Sequence, residues 1–138
     1  MNNLDRFIKA QERDYFKALN EIKKGKKTTH WIWYIFPQLD GLGYSSTAKY
    51  YGIKGENEAI EYIENDYLRN HLLEISNELL KIENKSINDI MGYPDDLKLK
   101  SCMTLFDYVS DYEVFSKVLE KYFDGKHDEI TLKMLKNK

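Results

Sequence analysis

One cysteine, two prolines and seven glycines are all that 138 residues hold of the types that usually punctuate or staple a chain. A lone thiol, Cys102, forms no intrachain disulfide and no cysteine-rich metal cluster. So little Gly and Pro excludes a collagen-like or low-complexity chain, and an aromatic content of 14% excludes a disordered one. No run approaches the about 18 consecutive apolar residues of a membrane span, and the N-terminal segment lacks the apolar region of a signal peptide. The expected setting is therefore a reducing cytoplasm. At this length a folded chain buries about two-thirds of its surface, so one domain over residues 1–138 with one core is expected.

What is present is charge and helical periodicity. Charged residues make up 32% of the chain, and the net charge of -2 conceals an uneven distribution. Residues 1–30 carry eight Lys and Arg against four Asp and Glu, with Lys23, Lys24, Lys26 and Lys27 grouped around Gly25. The simplest reading is a solvated helix end whose cations complement the negative pole of the dipole. No basic stripe continues elsewhere, so nucleic acid is not an expected partner.

Leu4, Phe7, Ile8, Tyr15, Leu19 and Ile22 recur at three- and four-residue steps, predicting a helix from about Leu4 to Lys24 with Asn3 as its cap and charged residues on the other face. Residues 30–37 are apolar almost throughout. A lone strand there would leave its backbone hydrogen bonds unmade, so a buried helix ended by Pro37 is expected. Turn residues fill Gln38–Ser46, with a short helix from Thr47 to Tyr51 capped by Ser45 or Ser46. Further helices are expected at Glu56–Glu64, built on Ala59, Ile60 and Ile63, and at Tyr67–Ile82 behind an Asn65-Asp66 break. Ser86–Met91, a helix with Pro94 at its first position running to Val109 or Ser110, Glu113–Phe123 and Glu129–Leu135 follow. The fold class is all-α, about six to eight helices with no significant sheet. Glu56, Glu58, Glu61 and Glu64 read as a solvated helix face.

At about 100° per residue, Asp96, Lys100, Thr104 and Asp107 share the solvent arc of the Pro94 helix, and Leu99, Cys102, Leu105, Phe106 and Val109 cover the opposite side. Lys98 falls inside that apolar side. An ammonium facing a core is costly unless paired, neutralised or used. A structural salt bridge to Asp95, one turn earlier, would satisfy it; an anion-binding or catalytic role would use it. Ser101, at the edge of the same arc, either bonds back to its own helix or lines a polar pocket with Lys98. Cys102 reads as a small buried hydrophobe.

The second candidate region is His30–Gln38. Trp31, Trp33, Tyr34 and Phe36 supply flat apolar walls, and His30 and Gln38 supply hydrogen-bonding ends, a makeup shared by ligand pockets and by ordinary cores. Gly41, Gly43, Ser45 and Ser46 precede a helix N-terminus, where backbone N–H groups can face an anion. Neither a dinucleotide fingerprint nor a phosphate-loop pattern is present. His30, His71 and His127 lie too far apart to suggest a metal site, and no cofactor is called for.

Phe7-x-x-Ala10-Gln11, His30-Trp31-x-Trp33-x-x-Phe36-Pro37-Gln38-x-x-Gly41-Leu42-Gly43, Ser45, Tyr51 and Pro94-Asp95-Asp96-Leu97-Lys98-Leu99-x-Ser101-x-Met103-Thr104-Leu105-Phe106 occur in that order. Together with Val118-Leu119-x-x-Tyr122-Phe123-x-Gly125, they make the chain resemble, over almost its whole length, a bacterial domain-of-unknown-function family often mislabelled "calpastatin". The resemblance implies a mainly helical single domain in a small cytoplasmic protein. It also implies a distant similarity to proteins that process NAD- or ADP-ribose-type molecules and related N-glycosides, and it adds Tyr51 to the candidate ligand-binding residues. Cys102 stands where the family commonly has a second serine, so no role that needs a hydroxyl there carries over.

The combined expectation is a pocket between the His30–Ser46 segment and the Pro94 helix. A phosphorylated small molecule such as a nucleotide, ADP-ribose or an N-glycoside would bind to His30, Trp31, Trp33, Gln38, Gly43, Ser45, Tyr51 and Ser101. Lys98 and Asp95 are the candidate catalytic pair if the protein is an enzyme, which would then be a hydrolase of an N-glycosidic or nucleotide-type bond. The alternative is a non-enzymatic interaction module that docks a partner on the aromatic residues 30–37. No membrane partner is expected, and the oligomeric state is open.

Overall fold

A computed structural model describes residues 3–137. Nine helices follow one another among the described residues: α1 (Asp5–Lys23), α2 (Ile32–Ile35), α3 (Ser46–Tyr51), α4 (Glu56–Glu64), α5 (Asp66–Lys81), α6 (Ile87–Met91), α7 (Asp95–Val109), α8 (Glu113–Phe123) and α9 (Glu129–Lys136). The expected all-α class holds; the count exceeds six to eight because the short segments α2, α3 and α6, of 4, 6 and 5 residues, each form a helix of their own. The only bridge among the described residues pairs Leu39 with Ile53 in parallel. There the Asp40 N–H donates to the Ile53 carbonyl and the Ile53 N–H to the Gln38 carbonyl, both at 2.8 Å. This closes the 38–53 loop so tightly that a Cβ on Gly52 would stand 2.7 Å from the Asp40 Cα, and only glycine fits.

Helix starts follow their side chains. Ser45 caps α3 by accepting from the Ala48 N–H at 3.0 Å, and Asn65 caps α5 through the Leu68 N–H at 3.0 Å. Ser86 and Asp89 form a capping box on α6. Two expected starts differ. Leu4, not Asn3, is the N-cap of α1; its aliphatic side chain has no acceptor for a cap bond and is buried in the core instead. Pro94 is the N-cap of α7 rather than its first helical residue, and its bond to Tyr93 is cis.

α5 lies between α1 and α8, while α7 packs against α8, α4, α6 and α9. All of these helices feed one contiguous core containing Phe7, Tyr15, Phe36, Tyr62, Leu68, Leu99, Phe106 and Phe115. Wrapping from several sides explains the main correction to the wheel: Ser101 through Phe106 are all buried, including Thr104, which was expected on the solvent arc. α9 covers that arc. The Thr104 hydroxyl donates to the Lys100 carbonyl and accepts the Asp128 N–H, both at 2.8 Å.

Other charged residues are also less solvated than expected. The Arg6 guanidinium pairs with Glu58 at 2.8 Å, so Glu58 is not part of a free acidic face and the polar side of α1 is not wholly in water. In α4, Tyr62 takes the core position, while Ile60 is only half-buried. The Lys27 side chain, assigned to a solvated helix end, is 5% exposed. No described helix is long and apolar enough to cross a membrane.

Candidate functional site

A cleft of about 310 Å³ opens where the 33–52 segment meets the first half of α7 and the start of α9. One side is built by Trp33, Gln38, Leu42, Gly43 and Tyr51, and the other by Pro94, Leu97, Lys98, Lys100, Ser101, Asp128 and Ile130. Gly43 is required by the close turn there, since a Cβ would meet that of Ala48 at 2.8 Å.

Lys98 does face apolar surroundings, and the structure shows how. Its ammonium sits 3.5 Å from the centroid of the Trp33 ring, a cation–π contact. The Asp95 carboxylate is 3.6 Å away, the i,i+3 ion pair anticipated as the structural alternative. Asp95 is shared, however. Its other oxygen pairs with Lys27 at 2.7 Å. Burial lowers the Lys98 pKa; Asp95 opposes that shift, and the like charge of Lys27 adds to it, leaving the amine below the ordinary lysine value.

The rest of the wall has the same bias. Lys100 makes no ion pair among the described residues, and its ammonium has only a distant contact, 5.9 Å, with the Phe123 ring. The indole N–H of Trp33 meets no protein acceptor among the described residues. The one carboxylate on the wall, Asp128, is committed: its Oδ2 accepts from the Thr131 N–H at 3.0 Å, the Thr131 hydroxyl at 2.5 Å and Ser101 at 3.3 Å. Ser101 reaches the Leu97 carbonyl at 3.3 Å as well, so it both bonds back to its helix and lines the cleft. An ammonium with a loosely shared counterion and a flat ring thus share one opening, which Lys100 also lines. Such a surface attracts an anion that carries an aromatic or sugar ring.

Of the residues expected at the site, the structure brings together Trp33, Gln38, Gly43, Tyr51, Lys98 and Ser101. Asp95 stands behind Lys98 rather than on the wall. Three do not join them. His30 is exposed away from the cleft, Ser45 is exposed and spent on the α3 cap, and Trp31 is 1% exposed with its indole N–H bound to Glu21 at 2.9 Å. The interaction-module alternative also loses its premise. Trp31, Tyr34 and Phe36 are all buried, and Trp33 is half-buried in the cleft. The residues missed were Lys100, Asp128 and Ile130. Asp128 had one legible signal, an Asp three residues before Thr131, which marks a helix cap.

A second unanticipated cluster surrounds Trp31. The Glu21 carboxylate accepts from the Thr28 and Thr29 N–H groups at 2.7 and 3.1 Å, the Thr29 hydroxyl at 2.6 Å and Trp31. Burial alone would raise its pKa; the four hydrogen bonds win and hold it down to about 2. Cys102 is fully buried and its thiol is pushed well above the ordinary value by desolvation, consistent with an inert core residue. Among the described residues no three His, Cys, Asp or Glu side chains gather in a way that could hold a metal ion.

Residues 1–135 match the family described as "Protein of unknown function (DUF1810)". The chain belongs to this family. Among solved structures, the conserved hypothetical protein Rv1873 from Mycobacterium tuberculosis is 41% identical, with a TM-score of 0.95 over 97% of this chain and 96% of that one. No curated protein matches the chain. Neither membership in DUF1810 nor the shared fold assigns a reaction.

Proposed function

We propose that this DUF1810 protein binds a phosphorylated small molecule bearing a flat ring, of the nucleotide or ADP-ribose type, in the cleft between the 33–52 segment and α7. The observation that carries this reading is the Lys98 ammonium, poised 3.5 Å over Trp33 on the cleft wall while sharing Asp95 with Lys27. A phosphate arriving there completes the charge balance of Lys98, and the edge of the Trp33 ring and the apolar side chains of the cleft accept the flat ring beside it. A volume of about 310 Å³ lies at the small end of ligand cavities, suiting a mononucleotide-sized group with any remainder along the open mouth. Asp95 is engaged by two ammonium groups, Lys27 and Lys98, an arrangement that holds cations in place and favours binding over hydrolysis.

The test is calorimetric titration of AMP, ribose 5-phosphate, ADP-ribose and unphosphorylated adenosine into the wild type, Lys98→Ala and Trp33→Ala. The phosphorylated ring compounds bind the wild type, adenosine binds at least about tenfold more weakly, and each variant loses most of the affinity. Equal binding by Lys98→Ala would remove that residue from the reading, and no binding by the wild type would overturn it.

A further inference from the structure

The buried Lys27, on the loop between α1 and α2, stands out because nothing in a solvated helix end requires it. Its backbone is fixed where its N–H donates to the Ile90 carbonyl at 2.7 Å. Its ammonium donates to the Thr29 carbonyl at 2.5 Å, lies 4.8 Å from the Trp31 ring centroid and pairs with Asp95 Oδ2 at 2.7 Å. Trp31 in turn is anchored by Glu21. A short chain of contacts therefore runs from Glu21 through Trp31 and Lys27 to Asp95, ending at the Lys98 ammonium on the cleft wall.

We infer that Lys27 is a positioning residue for the cleft: by holding Asp95 on one oxygen, it leaves Lys98 only a loose, 3.6 Å share of that carboxylate and so keeps the Lys98 ammonium available to a phosphate monoester. The separations carry the argument. At 2.7 Å the Lys27 ammonium is in direct ion-pair contact with Asp95, whereas Lys98 stands 3.6 Å away, where the attraction is weaker. Without Lys27, Asp95 would be free to close on Lys98, and the cleft would lose both a nearby positive charge and an uncommitted one. The ionisable groups around Lys98 are Asp95 and Lys27, with Lys100 and Asp128 farther along the wall. Lys27 adds to the lowering of the Lys98 pKa, in line with this coupling.

The inference deepens the proposed function and rests on it for ligand binding, but its electrostatic half is tested in the ligand-free protein. The first arm follows the Lys98 side-chain nitrogen resonance across a pH titration, assigned with Lys98→Arg, in the wild type, Lys27→Met and Lys27→Arg. The Lys98 midpoint rises in Lys27→Met and stays near the wild type in Lys27→Arg. The second arm titrates AMP calorimetrically: affinity falls about tenfold in Lys27→Met and is restored in Lys27→Arg. A merely structural Lys27 would lower the melting temperature and leave the Lys98 midpoint in place, which overturns the inference. A midpoint that moves while AMP affinity does not also overturns it. Should Lys27→Met fail to fold, Lys27→Gln takes its place in both arms. Lys98 then titrates above the wild type, and an unchanged midpoint contradicts the account. If the wild type binds no AMP, the proposed function fails, while the first arm still decides whether Lys27 controls Lys98.

Discussion

Trp31 and Trp33 stand two residues apart, each beneath a lysine ammonium, and their surroundings differ in one respect. Around Trp31 every polar group is matched: the indole donates to Glu21, Glu21 accepts three further hydrogen bonds, and Lys27 is paired at 2.7 Å. Around Trp33 the matching is incomplete. The indole N–H has no acceptor among the described residues, and Lys98 has only a shared carboxylate at 3.6 Å. The same pair of residue types is structural where its partners are saturated and available where they are not. Buried polar networks stabilise only when complete, so the incomplete one, opening to solvent, is where a ligand gains most.

The largest way to break this contrast is at Glu21. Glu21→Ala strands the Trp31 indole, two backbone N–H groups and the Thr29 hydroxyl, and destabilises the fold by about 3–5 kcal/mol in urea denaturation. The same carboxylate makes stability depend on pH. Its folded pKa, about 2, lies below its ordinary 4.5, so its contribution is fully present above about pH 5 and is lost as pH falls towards 2. The loss is on the order of 3 kcal/mol. Thermal melts of the wild type fall through that window, and Glu21→Gln, already less stable at neutral pH, shows a shallower fall. A wild-type melting temperature that is flat from pH 5 to 3 would contradict a saturated network around Trp31.

A smaller effect sharpens the other side of the comparison. Lys98→Met removes one half-exposed ammonium and leaves an apolar side chain over Trp33, so stability changes by no more than about 1 kcal/mol in either direction. A loss comparable with that of Glu21→Ala would place Lys98 among the structural groups and make the two regions alike.

Much of the helical framework was legible because it is written locally. The Asn65-Asp66 break, the Ser45 cap and the Ala59 and Ile63 core positions depend on residues within a turn or two of each other. The inward turn of Lys98 was legible for the same reason, since one helix decides its direction. Thr104 was misplaced because a wheel describes a helix alone and says nothing of α9 lying across it. Lys27 and Glu58 were misplaced because their partners, Asp95 and Arg6, are far away in sequence, and charge grouping along a chain does not reveal pairing across it. Trp31 and Trp33 were indistinguishable by composition; the single turn of α2 separates them, turning one to the core and the other to the cleft.

With two tryptophans in the chain, the most direct measurement is a titration of AMP into nitrogen-15-labelled protein, following the two indole N–H resonances. The account predicts that the Trp33 signal moves with ligand concentration while the Trp31 signal, held on Glu21, stays in place. Two motionless signals, or a Trp31 signal that moves while that of Trp33 is still, would contradict it.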